Sequence, residues 1–121
     1  MVKALFDTNI LIDYLNAVPQ ARTELDRYNE KAISIITWME VMIGADSSVE
    51  AATLAFLEAF KLITIDDAVA QCAVKLRKEH RIKLPDAIVW ASAQTNAMLL
   101  VTRNTKDFPV GDPAVRVPYQ F

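Results

Sequence analysis

Short runs of uninterrupted apolar residues alternate along the chain with longer stretches whose apolar positions recur every three or four residues. Residues 2–6 are the first such run, polar only at Lys3, and predict a buried strand. Asp7 ends it. Thr8 and Asn9 then suit helix capping, and Ile10, Leu11, Tyr14, Leu15 and Val18 follow at helical spacing. Pro19 opens a second helix over residues 20–28, whose thin apolar face of Ala21, Leu25 and Tyr28 predicts a surface position. Residues 32–36 (AISII) predict a second buried strand, and Thr37 begins a helix over residues 38–45. Ser47 or Ser48 caps the next helix, with Val49, Ala52, Phe56 and Phe60 on one face. Residues 62–65 predict a third strand. Asp66 and Asp67 start a helix with Val69, Cys72, Ala73, Leu76 and His80 on one side. Pro85 opens a helix over residues 86–96 that is apolar nearly all round, which predicts burial, and residues 98–102 (MLLVT) predict a fourth buried strand. Pro109, Gly111, Pro113 and Pro118 leave room only for a short edge strand near residues 115–117. This alternation predicts an α/β fold, a three-layer α/β/α sandwich around a mainly parallel sheet of four to five strands.

Length makes this one domain over residues 1–121, large enough to bury a core without disulfide or metal. The single Cys72 cannot pair internally, and one Cys with one His cannot make a zinc site, so the chemistry suits a reducing cytoplasm. No stretch has the length and polarity of a membrane span, and an acid at position 7 comes too early for an export signal. A net charge of −2 argues against a general electrostatic nucleic-acid binder and leaves room for a local basic patch.

Four acids stand where elements begin or end. Asp7 follows the first strand, Glu40 lies in the first turn of its helix, Asp86 opens the buried helix, and Asp107 follows the fourth strand. Each has a structural alternative. Asp7 reads equally as a helix cap. Thr37 and Glu40 match the S/T-x-x-E capping box, yet Glu40 is the only ionisable group in an otherwise apolar helix. Asp86 beside Pro85 complements the helix dipole, and Asp107 before Phe108 suits a turn. If the four converge, like charges about 4 Å apart repel by roughly 4 kcal/mol per pair at an effective dielectric near 20, which a divalent cation would offset. Oxygen ligands without His or Cys suit Mg²⁺ or Mn²⁺, a centre able to activate water and stabilise charge on a phosphate.

The segments LFDTNILID, ITWMEVMIGA, LPDAIVWASA and LLVTRNTKDF, in this order and over essentially the full length, resemble the PIN-domain ribonucleases of the VapC toxin type. The resemblance implies a PIN-like parallel α/β sheet and Mg²⁺- or Mn²⁺-dependent endonucleolytic cleavage of RNA, whether tRNA, rRNA or mRNA. It implies that Asp7, Glu40, Asp86 and Asp107 form the acidic metal centre, supported by Thr102, Asn104 and Asn9. Many PIN domains carry the last acid where this chain has Asn104; the T-x-N-x-x-D-F form here points to Asp107. A cognate VapB-type antitoxin that lays a peptide across the groove, and a homodimer, are the implied protein partners.

Residues 75–83 (KLRKEHRIK) hold five Lys or Arg against one Glu immediately before Asp86. Lys75, Lys78 and Arg81 fall away from the apolar face, which fits either a solvated helix side or a phosphate-contacting rim that extends to Lys83, Arg103 and Lys106. His80 reads as a packed residue rather than a catalyst. Trp38, Met39, Met42 and Trp90 read as core or as partner surface, and Asp13 as solvent-facing or capping. A phosphoacceptor receiver domain would need a second acid beside Asp7, and Thr8 and Asn9 supply none. A non-catalytic PIN-fold binding module and a housekeeping PIN nuclease remain the alternatives to a toxin.

Overall fold

The computed structural model describes residues 2–121. In chain order the elements are β1 (Lys3–Phe6), α1 (Thr8–Leu15), α2 (Pro19–Asp26), β2 (Glu30–Ser34), α3 (Ile35–Gly44), α4 (Glu50–Leu57), β3 (Lys61–Ile63), α5 (Asp67–His80), α6 (Leu84–Thr95), β4 (Leu99–Val101) and β5 (Val115–Arg116). The strands form one sheet in the order β3-β2-β1-β4-β5, and every neighbouring pair is parallel. β1 is therefore central, and the carboxyl ends of all the strands lie along one edge.

The pleat separates two cores. Leu5, Ala32, Leu100 and Val115 turn to one face and pack under α5 and α6 with Leu76, Ala87 and Trp90. Ala4, Phe6, Ile33 and Val101 turn to the other and pack under α1 and α3 with Ile10, Leu11 and Val41. Helices on both faces make the predicted three-layer sandwich, and the near-continuous apolar character of the strands follows from burial on both sides. Phe6 is fully buried with its ring edge-on to Tyr28 and Phe60, at centroid distances of 5.7 and 6.1 Å. Burial of such a side chain stabilises the fold by about 1.5–3 kcal/mol.

Several boundaries differ from the sequence expectation. β2 ends at Ser34, whose hydroxyl caps α3 by accepting the Ile36 N–H at 3.1 Å. The β-branched Ile35 and Ile36 therefore begin a helix instead of ending a strand, because a capping serine outweighs their modest strand preference. Thr37 is consequently inside α3, and Glu40 lies beyond the first turn, so the capping box does not form. Neither Ser47 nor Ser48 caps α4; Asp46 accepts the Ser48 N–H in a local turn, and α4 buries Thr53 and Leu57 where Ala52 was expected. Asp66 does cap α5, accepting from the Val69 N–H at 2.8 Å. The thin face of α2 is buried together with Glu24. His80 lies exposed at the end of α5 with its ring 4.7 Å from that of Trp90, and Trp90 belongs to the core. Among the described residues, no helix is long and apolar enough to cross a membrane.

Candidate metal centre

Asp7 stands at the carboxyl end of the central strand, held in the sheet by its N–H to the Val101 carbonyl at 2.9 Å. It is itself the cap of α1, its Oδ1 accepting the Thr8 N–H at 2.8 Å, which releases Thr8 and Asn9 from the capping role expected of them. Its other oxygen, Oδ2, accepts the fully buried Thr102 hydroxyl at 2.8 Å and the Asn9 amide at 3.2 Å. The Asp7 carboxylate is only 5% exposed. Cap and candidate ligand are thus one residue.

Glu40 reaches the same edge from α3. The Thr8 hydroxyl donates to its Oε1 at 2.7 Å and lies 3.0 Å from the Thr37 hydroxyl, so α1 and α3 meet through a short polar chain at an exposed carboxylate. Asp86 arrives on the first turn of α6, half-buried, with Lys83 as a nearby favourable charge. Asn104 organises the turn after β4: its Oδ1 accepts the N–H groups of Lys106 and Asp107, and its Nδ2 donates to Asp107 Oδ2 at 2.9 Å. Asn104 and Asp107 are thus bonded to one another within a single turn.

Electrostatics ties the four together. Burial, with repulsion from Asp86 and Glu40, pushes Asp7 up from 3.8 to about 6, although bonds from Thr102 and Thr8 pull it down. Burial also raises Asp86, with added repulsion from Asp107 and Glu40 and an Asp107 carboxylate placed to accept its proton. Among the described residues no group of three or more His, Cys, Asp or Glu side chains is drawn close enough to hold a metal ion as it stands. The donor set still fits a hard cation. It is oxygen only and open to solvent at Glu40, and the repulsion that raises Asp7 and Asp86 is what a divalent charge would relieve.

Not every predicted site residue joins the cluster. Arg103 is bound bidentately to Asp13, and Asp13 is buried, in contrast to the solvent-facing or capping role expected for it. Arg81 and Lys106 border a cleft of about 500 Å³ beside Asp107, opposite Ile82 and Phe108. Lys78 is exposed on the last turn of α5. The roles of Thr8 and Thr37 had no sequence signal, since both looked like helix caps.

The PIN domain family model matches residues 4–110. Comparison with curated proteins gives no match. Among solved structures, a chain of a toxin-antitoxin complex from Klebsiella pneumoniae is 47% identical, with 98% of this chain and 100% of that one covered and a TM-score of 0.93. A chain of VapBC2 from Rickettsia felis, bound to a DNA fragment from their promoter, is 23% identical, with 100% and 99% covered and a TM-score of 0.78. A chain of DNA-bound VapBC from Salmonella typhimurium is likewise 23% identical, with 99% and 98% covered and a TM-score of 0.76, and these last two likenesses speak for the fold alone.

Proposed function

Because this chain belongs to the PIN domain family, we propose that it is a Mg²⁺- or Mn²⁺-dependent endoribonuclease, acting in the cytoplasm as the toxin of a type II toxin-antitoxin pair. The observation that carries the reading is a buried carboxylate, Asp7, raised by its burial and further by repulsion from Asp86 and Glu40, with no cationic partner among the described residues. Asp7 and Asp86 would hold the ion, with Glu40 and Asp107 oriented toward water or a second ion. The cation, when bound, supplies a Lewis acid and neutralises charge developing on the phosphate.

The chain's own residues do the remaining work. Thr102 and Asn9 fix the Asp7 carboxylate, and Thr8 holds Glu40 at the solvent edge, where a free oxygen can take a proton from an incoming water. Lys83 beside Asp86, together with Arg81 and Lys106 at the Asp107 cleft and Lys78 beyond it, provides sequence-independent phosphate contacts. Arg103 contributes none of these, its guanidinium being committed to Asp13.

The toxin role is supported by the 47% identity to the Klebsiella pneumoniae toxin-antitoxin chain. A VapB-type antitoxin would lay a peptide along the apolar groove of about 550 Å³ between α1, α3 and α4, lined by Ile12, Leu15, Val41 and Val49, and insert a basic residue among the acids. Homodimerisation completes the proposed assembly. Purified protein should cut RNA with Mn²⁺ and stop on addition of chelator, and Asp7→Asn and Asp86→Asn should both be inactive. Persistent cleavage in either variant sinks the mechanism. Growth arrest on expression, relieved by co-expressing the small open reading frame next to the gene, separates a toxin from a housekeeping nuclease.

A further inference from the structure

Asp13 lies on α1 and is 6% exposed, so its charge needs partners from elsewhere in the chain. Arg103 donates to it from Nε at 2.7 Å and Nη2 at 3.0 Å, and the Tyr119 hydroxyl donates at 2.9 Å. The Arg103 guanidinium also sits 5.0 Å from the centre of the Phe121 ring, and that ring is 5.4 Å from Tyr119. This clasp joins α1, the loop after β4 and the segment after β5. Its backbone leads straight to the acids: the Arg103 N–H donates to Asn9 Oδ1 at 3.1 Å, while Asn9 Nδ2 donates to Asp7 Oδ2 at 3.2 Å and to Thr102 Oγ1 at 3.3 Å.

We infer that Asp13, Arg103 and Tyr119 are positioning residues that fix the Asn9 amide, and through it the Asp7 carboxylate, for cation binding. An asparagine amide has a donor end and an acceptor end, and the wrong end beside Asp7 would set oxygen against oxygen. The Arg103 N–H claims the acceptor end, which leaves the donor end for Asp7. A bidentate fork locked on Asp13 holds that N–H in place, since the fork leaves the arginine little rotational freedom. Apolar side chains of similar volume would support the fold as well as this ion pair does. They would not orient the amide. Partners of this kind, one shell removed from a metal, typically change its affinity about 10- to 100-fold.

This inference rests on the metal-centre reading above, so the test begins on the metal-free protein. Amide hydrogen exchange at position 103 and the Asn9 side-chain resonances should report the clasp directly. Arg103→Ala strands Asp13 and can unfold the chain; the double variant D13L/R103M removes the pair with apolar replacements and keeps folding. In it, exchange at position 103 should accelerate by at least about tenfold and the Mn²⁺ dissociation constant, read by calorimetry, should weaken by about 10- to 100-fold. Y119F should show the same changes, only a few-fold in size. Exchange and Mn²⁺ affinity both within about twofold of wild type in folded D13L/R103M overturn the inference. A wild type that binds Mn²⁺ and leaves RNA intact overturns the nuclease reading alone, with the clasp still decided by exchange and affinity. One that binds no Mn²⁺ overturns the metal centre, and exchange at position 103 then decides the clasp.

Discussion

Three carboxylates are buried to nearly the same degree, Asp7 at 5%, Asp13 at 6% and Glu24 at 3% exposed, yet the protein treats them in two ways. Asp13 and Glu24 each receive an arginine fork and a tyrosine hydroxyl: Arg103 with Tyr119 for the first, Arg116 with Tyr28 for the second. Burial pushes Glu24 up, but Arg116 and Tyr28 outweigh it and hold the carboxyl below its ordinary range. Asp7 receives only neutral donors and faces two more acids, and it ends near 6. Charge is compensated internally where the acids serve as locks. At Asp7 no such compensation is present among the described residues, an arrangement that suits a cation supplied from outside the chain.

The sharpest way to break this contrast is to make a lock resemble the site. Arg116→Ala leaves the buried Glu24 with only the more exposed Arg27, 3.7 Å away, as a cation, and should destabilise the protein by roughly 3 kcal/mol, the lower end for a broken buried pair because Arg116 is itself one-third exposed and Arg27 remains. Urea unfolding measures it; a loss below about 1 kcal/mol would show that Glu24 is not a lock. The converse change neutralises the site. Asp7→Asn should stabilise the metal-free protein above pH 6 by up to about 3 kcal/mol while reducing RNA cleavage by more than about 100-fold.

The pH dependence carries the sign of the difference. Asp7 binds a proton more readily folded, near 6, than its ordinary 3.8, so its ionisation erodes stability as pH rises from about 4 to about 6 and the deficit persists above. Glu24, lowered in the fold, contributes stability at neutral pH that is lost as pH falls through the acid range. In chelator, unfolding at pH 5 and pH 7.5 should show a wild-type loss that Asp7→Asn lacks. Equal slopes in the two proteins would remove the electrostatic argument. The smallest expected effect is at Thr102→Val, which deletes one bond to Asp7. It should raise the Asp7 pKa further and weaken Mn²⁺ binding by about tenfold, with little change in fold.

The sheet was readable because its central strands β1, β2 and β4 hold short apolar runs, and the order of the four acids was readable because Asp7 and Asp107 follow such strands while Glu40 and Asp86 stand out in apolar helices. The helix starts were less legible. Ile35 and Ile36 extend the apolar run of β2, and only the placement of Ser34 at the strand's end shows that the chain has turned into α3. That one register change abolishes the apparent capping box and frees Glu40 to meet Thr8. The arginine forks of the locks left no trace, although Tyr28 stands only four residues from Glu24. Arg103 lies 90 residues from Asp13 and Tyr119 lies 106, while Arg116 is 92 from Glu24, and no local pattern marks an acid whose partner arrives from so far along the chain.

The central position of β1, between β2 and β4, has a consequence for synthesis. Asp7 is made 95 residues before the hydroxyl that fixes it, Thr102, and the loop that carries Asp107 follows later still. A nascent chain that stops short of β4 has an open edge on β1 where β4 belongs and lacks both Thr102 and Asp107. A cation site built on Asp7 and Asp107 therefore stays incomplete until synthesis has passed β4 and the loop after it, so the strand order delays whatever chemistry that site performs.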